Sequence, residues 1–138
     1  MRIDLLQALE ADFNLTGIKK VWRYFPDPVS IPESSYPCIY VAFGTEKGIF
    51  SPEGTSLYEV PVVLVCFIKA PTDSKNEGLL RNEAESWLHK FKNVQFNNLK
   101  LVEEAVSIEY ITGTPYLNDL PDNKAFLILE FNLTYKGE

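Results

Sequence analysis

The chain has 138 residues, a size at which one core buries roughly two-thirds of the surface that the unfolded chain exposes, so a single domain over 1–138 is expected. Hydrophobic residues make up 46% and charged residues 23%, which excludes the polar composition of a disordered chain. The formal charge of -6 opposes nucleic-acid binding by phosphate neutralisation, which needs clustered Lys and Arg; the densest basic group, Lys19, Lys20 and Arg23, reads as solvated strand-edge charge.

Ile3, Leu6, Leu9 and Phe13 recur at helical spacing, with Leu5 and Ala8 widening the stripe and Asp4, Gln7, Glu10 and Asp12 opposite, so an amphipathic helix is predicted, stopped at Gly17. A first strand is predicted from Lys19 to Phe25, ended by Pro26-Asp27-Pro28. Four prolines, at 26, 28, 32 and 37, make the next segment irregular but restrained. Cys38 to Phe43 is apolar on both faces and reads as an interior strand. Gly44 to Thr55, with glycines at 44, 48 and 54, suits a long hairpin connection; it carries Ile49 and Phe50, whose burial against something is expected.

Leu57 to Ala70 gives the strongest strand signal. Tyr58, Val60, Val62, Leu64, Cys66 and Ile68 fill one face while Val63, Val65 and Phe67 fill the other, so both faces need cover. Pro61 removes a donor and points to an edge or bulge. Ser74-Lys75-Asn76-Glu77 matches a capping box ahead of a second helix, in which Leu80, Ala84, Trp87, Leu88 and Phe91 face the sheet and Arg81, Glu85, His89 and Lys92 face outward. Val106 to Ile111 reads as a strand, Thr112 to Lys124 as a loop, and Ala125 to Tyr135 as a closing strand with Ala125, Leu127, Leu129, Phe131, Leu133 and Tyr135 on one face. The expected fold is α+β: one mainly antiparallel or mixed sheet, two amphipathic helices packed on it, and a long β-hairpin.

Chemistry is scarce in this pattern. The one histidine, His89, falls mid-helix on the outward side, and its neighbour Glu85 gives only an exposed i,i+4 pair. Cys38 and Cys66 lie in apolar runs and read as core packing; with His89 they match no zinc spacing, and Glu103-Glu104 reads as acidic surface. The glycines at 44 and 48 precede no lysine-serine pair, so no phosphate loop is formed. Trp22, Tyr24 and Phe25 lack a basic groove in which to stack bases and read as core or contact surface. No catalytic, metal-binding or cofactor-binding residue is assigned, and no enzyme activity and no cofactor are expected. The apolar run Val60–Ile68 is too short to cross a bilayer as a helix, and Asp4 interrupts any apolar leader, so no membrane partner is expected and the cytoplasm is the default compartment.

What is left is an excess of apolar strand surface, a mark of a protein contact site; the alternative is that the helices and long loops cover all of it within one molecule. The candidate subunit-interface residues are Ile49, Phe50, Leu57, Val63, Val65 and Phe67.

Tyr36-Pro37 leading into the strand Cys38-Ile39-Tyr40-Val41, the long strand Tyr58-Glu59-Val60-Pro61-Val62-Val63-Leu64-Val65, and Asn82-Glu83-Ala84 in the second helix stand in an order that, over nearly the whole chain, resembles the tail terminator, or tail-completion, proteins of long-tailed bacteriophages. The resemblance implies a non-enzymatic virion subunit, assembled in the host bacterial cytoplasm, that forms a homo-oligomeric ring such as a hexamer. It caps the tail tube and joins it to the head-completion or connector protein, with DNA only passing through the lumen. An acidic subunit fits such a lumen, because like charge keeps DNA from sticking. Another phage head–tail connector or neck protein is the nearest alternative. From a different class, a small cytoplasmic enzyme or ligand-binding domain would use a pocket near His89 with Glu85 or Glu109.

One prediction comes from the sequence alone. Phe50→Ala is expected to leave the urea unfolding midpoint unchanged and to weaken self-association, read by sedimentation velocity.

Overall fold

The computed structural model describes residues 3–49, 54, 56–71 and 76–137. Helix α1 (Ile3–Phe13) is followed by strands β1 (Lys20–Trp22), β2 (Cys38–Phe43), β3 (Lys47–Ile49) and β4 (Leu57–Lys69), then helix α2 (Glu77–Lys92) and strands β5 (Ala105–Tyr116) and β6 (Lys124–Lys136). The strands form one mixed six-stranded sheet in the order β1-β2-β4-β6-β5, with β3 also on β4. β1 is parallel to β2 and the other pairings are antiparallel. The expected α+β class is what the chain forms.

β4 and β6 pair along their whole length, from Leu57 opposite Lys136 to Lys69 opposite Lys124. Side chains alternate across a strand, so this one ladder fixes which residues share a face. Val60, Val62, Leu64, Cys66 and Ile68 of β4 join Ala125, Leu127, Leu129, Phe131, Leu133 and Tyr135 of β6 in one core cluster. The helices close over that cluster with Leu5, Leu9 and Phe13 from α1 and Leu80, Ala84, Trp87 and Phe91 from α2, all buried. Phe13 sits at its centre, with ring centroids 5.1 Å from Phe131 and 6.3 Å from Phe91.

Helix α1 is rotated from the predicted stripe. Ile3 is exposed and Asp12, expected on the wet side, is buried. The cause is a hydrogen-bond set: the Asp12 carboxylate accepts from the backbone N–H and side-chain amide of Asn98 and from the Leu99 N–H, each at 2.9 Å. Three donors satisfy the buried charge and fasten α1 to the 3-10 turn Leu99–Leu101. Gly17 turns the chain after α1 at φ +100°, a backbone conformation that favours glycine, and packs beside the Trp87 ring of α2.

Four further boundaries differ from expectation. The first strand ends at Trp22 rather than Phe25, because parallel β1 and β2 require a crossover and the chain leaves the sheet there. Residues 47–49 form β3 inside what reads as a loop. Pro61 lies in a central strand, yet its effect is local: β2 ends at Phe43 opposite Val62, Gly44 N–H donates to the Pro61 carbonyl, and pairing resumes only at Lys47 opposite Glu59. A Cβ on Gly44 would stand 3.0 Å from the Pro61 ring, a tight contact, so the glycine packs closely on the proline at the break. Finally, β5 runs on to Tyr116 through the predicted loop. It is an edge strand, where Pro115 is tolerated. A Cβ at Gly113 would stand 2.8 Å from Leu88 of α2, so this glycine marks close helix approach rather than a turn. The α2 cap is Asn76, whose side chain accepts from Leu79 N–H at 3.1 Å; Ser74 and Lys75 of the expected capping box lie outside the described residues.

The crossover after β1 passes over the face away from the helices. Ile31 and Tyr36 from it are buried against Cys38, Val65, Phe67 and Leu120, a second and smaller apolar cluster. Asp27 caps the turn Pro28–Ser30, accepting from Val29 N–H and Ser30 hydroxyl, and Lys19 N–H donates to the Pro37 carbonyl. At the outer end Glu33 bridges two strands, receiving Lys124 Nζ at 2.9 Å and Lys69 Nζ at 3.3 Å. Hydrogen bonds from Lys124 and Lys69 hold the Glu33 carboxyl below its ordinary 4.5.

Two measurements test this account. Trp87→Ala removes a buried ring from α2 and is expected to destabilise the fold by about 3 to 5 kcal/mol in urea unfolding. The folded carboxyl of Glu33 titrates below its unfolded value, so its contribution is complete above that value and is lost as pH falls through the folded one. Hydrogen-exchange protection of residues 29–36 is therefore expected to fall on acidification below about 4.5, and Glu33→Gln is expected to start at the lower protection and show no such step.

Candidate functional site: the helix-free sheet face

Odd-numbered residues of β4 point away from the helices. From one end to the other they are Leu57, Glu59, Pro61, Val63, Val65, Phe67 and Lys69, and the register places Tyr40 and Ala42 of β2 and Phe126, Ile128, Glu130, Asn132 and Thr134 of β6 in the same layer. Ile49 of β3 lies opposite Leu57. Of the six residues predicted for subunit contact, five therefore share one face of one sheet. Phe50 lies outside the described residues.

These five are not equally available. Val65 and Phe67 are buried beneath Ile31, Tyr36 and Leu120 of the same chain, so the crossover supplies cover that sequence reasoning allotted to a neighbouring molecule. Val63 packs at the margin of that cluster and is half-buried. Leu57 and Ile49, farther along, are half-buried as well. Among the described residues the helices cover one face and the crossover only part of the other, so the helix-free face has a covered end and an open end.

Aromatic rings rim the covered end. Phe25 is 55% exposed and meets Tyr40 edge-on at 5.4 Å and Phe67 at 6.1 Å. Tyr116 of β5 stacks on Phe126 at 4.9 Å with the ring planes 15° apart. Trp22 and Tyr24 meet edge-on at 6.1 Å, and Lys20 Nζ stands 3.9 Å over the Trp22 ring. The sequence reading grouped Trp22, Tyr24 and Phe25 as core or contact surface but missed Tyr40, Tyr116 and Phe126. Alternation along β2 and β6 carried that signal for Tyr40 and Phe126; Tyr116 was hidden by the early end assigned to β5.

The titratable groups nearby are built for packing. Tyr36 is buried and its phenol is pushed up to about 12 by that burial, then by Cys38 and Glu33. Cys38 and Cys66 are free and buried, and burial pushes both thiols up. They occupy opposite faces of the sheet, Cys38 in the smaller cluster and Cys66 in the main core. A raised thiol pKa disfavours the nucleophilic thiolate.

His89 is exposed on α2, with its Nδ1 3.3 Å from the Asn93 side-chain nitrogen. Glu85, Leu88, His89, Lys92 and Tyr110 line a shallow surface depression, which brings Glu85 beside His89. Glu109 is not among its lining residues. Among the described residues no three His, Cys, Asp or Glu side chains group as a metal site, and no helix is long and apolar enough to cross a membrane.

No family model and no curated protein matches the chain. Among solved structures it is similar to a chain from the structure described as the virion of native gene transfer agent (GTA) particle, at 14% sequence identity and a TM-score of 0.48, with 96% of this chain and 92% of that chain covered.

Proposed function

We propose that the protein is a non-enzymatic virion assembly subunit, a ring-forming tail terminator that caps a phage-type tail tube and forms the joint to the head connector. The observation that carries this reading is the half-covered sheet face: a six-stranded sheet with both helices on one side and, on the other, Ile49, Leu57 and Val63 partly open among Glu59, Glu130, Asn132 and Thr134. Apolar strand surface left without cover is a usual mark of a protein contact. In the assembly this open end packs against a neighbouring subunit, and the covered end stays with the crossover.

Two further features support the reading. The excess of acidic residues, a net -6, suits a lumen through which DNA passes without adhering. The exposed His89 shares only a shallow surface depression with Glu85, Lys92 and Tyr110, rather than the enclosed pocket a small-molecule site uses. The partners in this reading are copies of the chain, the tail-tube protein and the head-completion protein, and the location is the tail or neck of the virion.

Tails assembled without this subunit are expected to run past normal length or fail to join heads; tails that close normally and join heads without it would end the proposal. At the level of the isolated protein, Val63→Glu is expected to keep its far-UV circular dichroism and to shift the sedimentation profile toward monomer.

A further inference from the structure

A closed ring needs a head-to-tail contact, in which two different surfaces of one subunit are complementary, whereas a two-fold dimer uses one surface twice. We infer that the two edges of the sheet supply the head-to-tail part of the subunit contact, with the open end of the helix-free face packing beside them: the β5 edge of one copy docks on the β1 edge of the next. The inference rests on the ring reading above and adds which surfaces meet.

The sheet order puts β1 and β5 at opposite sides of the molecule. The charges of the two edges are opposed. The β1 edge carries Lys19, Lys20 and Arg23 with no carboxylate between Gly17 and Pro26. From Leu101 to Asn123, which includes β5, the chain carries Glu103, Glu104, Glu109, Asp119 and Asp122 and no Lys or Arg, and Lys100, which lines a depression with Val106 and Ser107, is the cation beside that edge. All three cations of the β1 edge are exposed; Arg23 is already paired with Glu10 at 3.2 Å and Lys20 Nζ stands over the Trp22 ring. Lys20 lies in the register row of the helix-free face, opposite Cys38, and Glu109 lies opposite Asn132 on the same face. If one sheet continues into the next, edge to edge, these two opposite charges come to the same side of it.

The β5 edge has a second peculiarity. Its register slips between Ala105 and Ser107 and again between Tyr110 and Thr112, so Val106 and Ile111 are the extra residues of two bulges. A bulge usually blunts an edge and re-aims the side chain it carries. Here both re-aimed side chains are apolar and exposed, at 50% and 53%. Across the molecule Tyr24, 69% exposed, stands just beyond β1. Bulges and Pro115 prevent an uninterrupted backbone ladder along β5, so side chains carry the contact: carboxylates on lysines for direction, Val106 and Ile111 against apolar surface for burial.

The test uses the full chain and two single-cysteine additions, Lys20→Cys and Glu109→Cys; the native Cys38 and Cys66 are buried. Mixed under mild oxidation, the two variants are expected to give a cross-linked dimer that neither gives alone, and the double variant a ladder ending in one closed species. A variant that cross-links to itself, or a mixture that does not cross-link while the wild type sediments as an oligomer, overturns the edge assignment alone. Wild-type protein that stays monomeric at all concentrations and adds no ring to tail tubes overturns the ring reading and the edge assignment with it. Charge reversal gives an independent readout: Lys20→Glu and Glu109→Lys are each expected to weaken association about tenfold, and the double reversal to restore it.

Discussion

The pairing of β4 with β6 is the constraint from which the rest of the molecule follows. It joins residues 57–69 to 124–136 without a break, and its register decides which of two apolar sets faces the helices. A slip of one residue would turn Leu64, Cys66 and Ile68 outward and place Val63, Val65 and Phe67 under α1 and α2. The even set of β4 meets Leu127, Leu129 and Phe131 beneath the helices, and Val65 and Phe67 of the odd set meet the crossover. Everything else attaches to that spine: β2 and β3 on one side, β5 on the other, α1 and α2 above, and residues 23–37 below.

Much of this was legible because regular periodicity reports burial directly. The β2 boundaries, the two sets of β4 side chains and the shared face of β6 could be read from alternation alone, and the α2 stripe from helical spacing. What escaped depended on partners far away in sequence. Asp12 looks like a wet residue until Asn98 and Leu99 bring it three donors. Gly113 and Pro115 look like loop signals until β5 is known to be an edge lying close to Leu88. Local composition cannot distinguish a glycine that turns from one that makes room.

The candidate surface was legible to the same degree. Five of its six members fall on one face because β4 alternates and β3 pairs with it. That Val65 and Phe67 are already covered was not legible, since the cover comes from a proline-rich segment with no periodicity of its own. Its position is fixed instead by discrete links: Asp27 at the turn, Tyr36 and Ile31 in the small cluster, and Glu33 between Lys69 and Lys124. Exposed ion pairs of this kind contribute little individually, so Tyr36 and Ile31 are the firmer anchors.

The separation of β4 from β6 along the chain has a consequence during synthesis. Residues 57–69 leave the ribosome well before 124–136 are made, and for that interval the greasiest strand of the protein has only β2 and β3 beside it. Its even-numbered set then lacks Leu127, Leu129 and Phe131 and its β6-side edge is open to other nascent chains, a hazard that grows with expression level and with any pause before β6. Premature termination after α2 would leave the strand permanently unpaired on its β6 side, so truncated products of this gene should be cleared or aggregate rather than persist as soluble fragments.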